Sequence, residues 1–288
     1  MIRSMTGYAA ATRELPQGLL QLELKTVNGR YLDMQFRLAE EFRWCEPQLR
    51  ELASGALSRG KLDCRLSFTS ASLARSGVAL DTGLLENLAR LSGEVRKAIP
   101  DAQPLRVSEV LHWPGVLGDT AGASDDLREA APALMREALA ELAQSRAREG
   151  EKLAGTIRDR VAGIRTRLAE IAPLVPQAIA AYEEKLAAKL REVLATADEE
   201  RIRQEIAMFG VRIDVAEELS RLAAHLDEVD RALQGGGTVG KRLDFLMQEL
   251  NREANTLGSK SVSRELSAAA LDFKLLIEQM REQVQNIE

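Results

Sequence analysis

The residues best suited to chemistry lie in two stretches near the C-terminus. In DVAEELSRLAAHLDEV, residues 214–229, Glu218, Arg221 and His225 fall at i, i+3 and i+7, one face of a helix, and Glu217 joins Arg221 at i+4. A histidine oriented by a carboxylate can move a proton, and an arginine beside it can hold a phosphate. The same spacing equally describes a surface knitted by ion pairs, in which His225 is an ordinary polar residue. In RLDFLMQELNREANTLGSKS, residues 242–261, Glu249 and Glu253 at i,i+4 could share a divalent ion, while Arg252 and Lys260 could meet a phosphate. The competing reading is a helix between polar elements of its own fold, with Asn and Gln satisfying buried backbone groups.

The second stretch is unusual as a helix. Leu243, Leu246, Met247, Leu250, Ala254 and Leu257 make one apolar stripe. Lys241, Gln248, Arg252, Asn255 and Ser259 lie opposite, with Glu249 and Glu253 flanking on one side and Asp244 and Asn251 on the other. A solvated helix back is ordinarily Glu, Lys and Ala, whereas Asn and Ser compete for backbone hydrogen bonds. The chain has 2 histidines, so a multi-histidine centre is excluded, and no CxxC spacing occurs. A metal here would need oxygen donors, which suits Mg²⁺ or Mn²⁺. GGGTVGKR lacks the GxxxxGK[ST] spacing and the preceding strand of a phosphate loop. His112, beside Trp113 and Pro114, reads as structural. In the N-terminal part Arg3, Lys25, Arg30, Arg59 and Lys61 lie on strands or at strand ends, where they can track a phosphate backbone, with Tyr8 or Tyr31 for stacking. Lysines and arginines are also common on any strand surface.

The elements that would carry these residues change character along the chain. GLLQLELKTV and YLDMQFRL alternate with period two, as does KLDCRLSF after a helix from about Glu46 to Leu57. Asn28-Gly29 between the first two is a hairpin turn signal, and PQG at 16–18 closes an earlier hairpin. From about residue 80 the period is helical: a helix capped by Asp81 or Thr82, a short one stopped by Pro114-Gly115, then a loop over 118–126. A long helix over 133–171 follows, with Ile157, Val161, Ile164, Leu168 and Ile171 at heptad spacing. Helices at 177–196, 199–208 and 214–233 precede the glycine-rich joint QGGGTVG, the helix described above, and a last helix at 263–287. The fold class is α+β: an N-terminal antiparallel sheet with a packed helix, then a mainly helical body with a long arm. The expected division is 1–120, a helical hairpin arm over 121–200, and a C-terminal helical domain over 201–288.

Net charge is −5, which argues against bulk attraction to nucleic acid, although residues 1–70 hold ten Lys/Arg against eight Asp/Glu. No apolar run is long enough to span a membrane, and MIRSMTGYAAATREL lacks the apolar core of a secretory signal. Two cysteines, Cys45 and Cys64, suit a reducing cytoplasm.

MIRSMTGYAAAT, KTVNGRYLDMQFRL and SRGKLDCRL resemble the N-terminal domain of the YicC/YloC family. DVAEELSRLAAHLDEV, GKRLDFLMQELNREANTLGSKS and FKLLIEQMREQVQNIE resemble its C-terminal domain, so the resemblance covers both ends. It implies a cytoplasmic endoribonuclease associated with divalent metal and a ring-like homo-hexamer that engages RNA. Carried over, the motif covers Glu217, Glu218, Arg221 and His225 on one helix and Asp244, Gln248, Glu249, Asn251, Arg252, Glu253, Asn255, Ser259 and Lys260 on the next. The chemistry of metal-dependent RNA cleavage then makes Asp244, Glu249 and Glu253 the expected ligands of Mg²⁺ or Mn²⁺. Arg221, Arg252 and Lys260 are then the phosphate binders, and His225, set by Glu218, the proton carrier. Gly29 departs from the family's usual VNHR, standing where a histidine would be. A non-catalytic RNA-binding adaptor is the alternative.

Overall fold

The protein is described here from a computed structural model, which covers residues 1–16, 18–70, 80–116, 125–193 and 199–288. The expected turn at 16–18 and loop at 118–126 fall partly outside these residues. The α+β architecture stands, in two compact units: Tyr8–Leu142, and Met1–Gly7 together with Ala143–Glu288.

The first unit is built on β1 (Gly7–Leu15), β2 (Gly18–Val27), β3 (Leu32–Leu38) and β4 (Gly60–Ser70), in the order β1-β2-β4-β3. β2 runs antiparallel to β4 and β3 parallel to it, so the sheet is mixed rather than antiparallel. The expected β2–β3 hairpin does not form; β4 lies between the two strands. The reason is α1 (Glu46–Ala56), which sits between β3 and β4 in the chain and supplies the crossover that a parallel pair requires. Gly29 therefore serves a different purpose from a tight turn. A Cβ there would lie 3.2 Å from the backbone of Gly60, which itself has φ +103°, so the loop passes close over the start of β4.

Strand parity sets the core. Leu20, Leu22 and Leu24 of β2 lie against Phe68, Leu66 and Cys64 of β4, and β3 adds Met34, Phe36 and Leu38 on the same side. This face shares one core with Phe42, Leu49 and Ala53 and with Leu134, Met135, Ala138 and Leu142 of α4 (Asp125–Ile171). α4 starts eight residues before the expected 133 and contains Pro132; burial of Leu127, Ala130 and Ala131 outweighs the lost helix bond. α2 (Thr82–Ala98) is capped by Asp81, whose carboxylate accepts from the Leu84 amide at 2.8 Å, and α3 (Val107–Leu111) follows.

The second unit is helical: residues 143–171 of α4, α5 (Val175–Val193), α6 (Glu199–Ile213), α7 (Ala216–Gly235), α8 (Gly240–Lys260) and α9 (Arg264–Val284). The heptad residues Ile157, Val161, Ile164 and Ile171 join Leu266, Ala270, Phe273, Ile277, Met280 and Val284 in its core. Both ends of the chain are tied in. Ser4 bridges Ile287, the Met5 amide donates to Asn286, and Arg146 reaches the Ser4 carbonyl at 2.6 Å and the Glu288 carboxylate at 2.8 Å. The amides of Val239 and Gly240, where α8 begins, donate to a Glu288 oxygen. No described helix is long and apolar enough to cross a membrane.

Candidate metal centre between α7 and α8

The apolar stripe of α8 is fully buried, from Leu243 through Leu246, Met247, Leu250 and Ala254 to Leu257. Lys241, Gln248, Arg252, Asn255 and Ser259 are exposed, as the helical period requires. α7 buries Leu222, Leu226 and Val229 in the same core. Gly236 and Gly237, at φ +65° and +81°, turn the chain between the two helices. With both apolar faces turned inward, the residues flanking them meet along a polar seam.

Ion pairs mark the seam. Lys260 Nζ lies 2.8 Å from Glu218 Oε1, Arg221 Nη1 3.6 Å from Glu253 Oε1, and Arg242 pairs with Glu228. Partner numbers fall on α8 as they rise on α7, so the helices run antiparallel. Midway along, one donor atom each from His225, Glu249 and Glu253 lies within 4.8 Å of the others. Glu253 is the buried member, its side chain 5 % exposed. A carboxylate so far from water needs a cationic partner to stay ionised.

The three donors fit a divalent cation. Ligand distances of about 2.1 Å bring donors within about 4 Å of one another, so the group must draw in by less than about an ångström at its widest. One imidazole and two carboxylates suit Mn²⁺ better than Mg²⁺, which favours oxygen alone. Both glutamates come from the same helical edge, one turn apart, and His225 comes from the facing helix.

The other expected site residues distribute differently. Asp244 accepts a hydrogen bond from Gln248 Nε2 at 2.9 Å and stands outside the donor group. Glu218 is two turns from His225, roughly 10 Å along the axis, and is held by Lys260 instead. Its Oε2 is buried without a hydrogen-bond partner. Lys260 also donates to the Asp214 carbonyl at 3.1 Å, which fastens the end of α8 to the start of α7. Arg221 reaches Glu217 at 2.5 Å as well as Glu253, and Arg252 Nη1 is 3.8 Å from Glu249.

Lys25 and Lys61 lie on the solvent face of the sheet, where the register sets Lys25 beside Asp63 and Lys61 beside Asp33. Arg30 stacks over Tyr31, 5.4 Å from the ring centroid, and Arg59 is half-buried before β4. Arg3 belongs to the helical unit, ahead of the Ser4–Ile287 bridge, and not to the sheet. Sequence reasoning missed Arg37 and Arg65, which are register partners on the same solvent face, with Arg37 3.1 Å from Asp63. Their outward parity was readable from the strand alternation; their adjacency needed the parallel pairing.

Comparison with known proteins agrees from end to end. Residues 2–155 match the family described as Endoribonuclease YicC-like, N-terminal region, and residues 171–288 match Endoribonuclease YicC-like, C-terminal. A protein of Haemophilus influenzae named probable endoribonuclease YicC is 38 % identical over 292 residues, covering all of both chains. A protein of the same name from Clostridioides difficile is 28 % identical, again over the whole of both. The chain belongs to the YicC-like endoribonuclease family.

Proposed function

We propose that the protein is an endoribonuclease acting in the cytoplasm as a homo-oligomeric ring. Its chemistry would centre on His225, Glu249 and Glu253 with Mn²⁺ or Mg²⁺ held among them. The observation that carries this reading is the convergence of three donors from two helices, one of them the buried carboxylate Glu253, in a chain whose relatives are named probable endoribonucleases.

Phosphodiester cleavage requires charge neutralisation on the non-bridging oxygens, an activated nucleophile and protonation of the leaving oxygen. A bound divalent cation supplies the first and lowers the pKa of an attacking oxygen. Glu249 and Glu253 hold that position with His225 as nitrogen donor. Arg221 and Arg252 stand at the rim, exposed enough to meet a phosphate. Glu218 and Lys260 keep the two helices in register. Lys25, Lys61 and Arg30 of the sheet unit hold the strand by backbone charge, and Arg3 and Arg59 add to it. A ring of copies gathers these weak contacts around one RNA, which helps a chain of net charge −5 bind it.

The test is cleavage of a short end-labelled RNA in Mn²⁺ or in EDTA by wild type, His225→Ala and Glu253→Gln, purified in parallel. Cutting should fall by on the order of 10²-fold or more in EDTA and in both variants. Undiminished cutting in EDTA would remove the metal. Binding without cutting by any of the proteins would make this an adaptor that presents RNA to other nucleases.

A further inference from the structure

We propose that Arg221 is a built-in counter-ion of the cation site, and that a divalent cation and an RNA phosphate bind cooperatively by handing it over. The proposal rests on the reading of His225, Glu249 and Glu253 as the cation site and adds a coupling that the reading does not require.

The argument begins with charge. Glu253 is buried, and the group that faces it is the Arg221 guanidinium, Nη1 to Oε1 3.6 Å. Arg221 is itself 52 % exposed and is held on its other side by the exposed Glu217. One turn along, Glu249 repeats the arrangement with Arg252, whose side chain is 69 % exposed. Each carboxylate of the donor group thus has its own arginine leaning in from the rim. The two arginines offset the two carboxylates of the donor group, while the exposed Glu217 on the far side of Arg221 adds one further negative charge.

A dication placed among the donors changes that sum. It takes over the role of countercharge at Glu253 and repels the guanidinium beside it. Arg221 is on the solvent side and needs only side-chain rotation to leave. Once released it presents a planar pair of N–H donors suited to a phosphate. Lys260 is the contrasting case: it is held on the buried Glu218 and on the Asp214 carbonyl, whereas the second partner of Arg221, Glu217, is itself exposed. The handover belongs to Arg221, with Arg252 as its weaker counterpart at 3.8 Å. Linkage then demands reciprocity: if the cation raises affinity for RNA, RNA raises affinity for the cation by the same factor.

The experiment is Mn²⁺ titration calorimetry on wild type, Arg221→Gln and Glu253→Gln without RNA. Alongside it, fluorescence anisotropy measures binding of a labelled 2′-O-methyl RNA with and without Mn²⁺. Arg221→Gln should bind Mn²⁺ more tightly than wild type, on the order of 5-fold, because the competing guanidinium is gone. A misfolded variant would bind more weakly, so the sign separates the two. Wild type should bind the RNA more tightly when Mn²⁺ is present, and Arg221→Gln should lose that gain. Equal or weaker Mn²⁺ binding by an Arg221→Gln protein that melts at the wild-type temperature overturns the handover while leaving the cation site intact. No Mn²⁺ binding by wild type, or wild-type binding by Glu253→Gln, overturns the site itself and the handover with it.

Discussion

At the scale of single residues, buried charge is the recurring theme, and it is handled in two ways. In the α7–α8 seam the carboxylates Glu218 and Glu253 are buried, but Arg221 and Arg252 lie at a rim. At the chain ends they are enclosed: Arg146 and Glu288 side chains are 5 % and 10 % exposed, and Arg146 also holds the Ser4 carbonyl. Breaking an enclosed pair from one side leaves the other charge in a poor environment, typically at about 3–5 kcal/mol. Arg146→Ala should lower unfolding free energy by about that amount in urea titration. The same measurement on Arg221→Ala should show a smaller loss than Arg146→Ala, because Arg221 is half exposed and only the Glu253 end of its pair is buried. The two thiols sit at the other extreme. Burial pushes Cys45 up to about 11, and burial with the neighbouring Cys45 and Asp63 pushes Cys64 up to about 12. An unfolded thiol ionises near 8.5. Between that value and the raised ones the unfolded state binds fewer protons than the folded state, so stability should fall as pH rises above about 8.5. Urea midpoints at pH 7.5, 9 and 10 should therefore decrease in a wild-type protein and decrease less in a Cys45→Ala, Cys64→Ala variant.

At the scale of elements, α4 offers a controlled comparison. Gly150 and Gly155 are both helical, yet a Cβ at 150 would lie 2.4 Å from the Ile2 carbonyl oxygen while one at 155 meets nothing within 4 Å. Gly150→Ala should destabilise by roughly 1–3 kcal/mol by forcing the N-terminal segment away. Gly155→Ala should stabilise by roughly 0.5–1 kcal/mol through helix propensity. Thermal melts of the two variants should move in opposite directions. What could be read in advance divides along similar lines. The buried stripe of α8 and its exposed back followed from a 3.6-residue period, which is local information. The alternation of β2, β3 and β4 was equally plain. The position of β3 was not, because Asn28-Gly29 carries a strong local turn signal and strand partners are chosen by distant residues. The helix between β3 and β4 was the available clue to their parallel pairing. The donor group was half visible: Glu249 and Glu253 share a helical edge by spacing alone, and His225 was singled out on its own helix. Their meeting depends on how α7 and α8 pack, which no spacing within either helix specifies. Pairing His225 with Glu218 was the natural guess from one helix, and Lys260 from the other helix took that carboxylate instead.

At the scale of the whole molecule, the chain is organised as a sheet unit inserted into a helical one, since residues 1–7 belong with residues 143–288. The donor group and its arginines lie entirely in the helical unit, and Lys25, Arg30, Arg59 and Lys61 lie entirely in the sheet unit. Variants of the two sets should therefore separate experimentally. Lys25→Ala with Lys61→Ala should weaken RNA binding and flatten its salt dependence, by about 0.7 in log–log slope per lost phosphate contact on a single strand, with Mn²⁺ affinity unchanged. The junction of the two ends also sets a timetable for folding on the ribosome. Ser4, Met5 and the amides that open α8 all find their partners in residues 286–288. The sheet unit can close while the remainder is still being made, and Ser4 and Thr6 can already reach Arg146 and Glu149 of α4, but the bonds of Arg3, Ser4 and Met5 to residues 286–288 must wait until the segment after α9 has been synthesised.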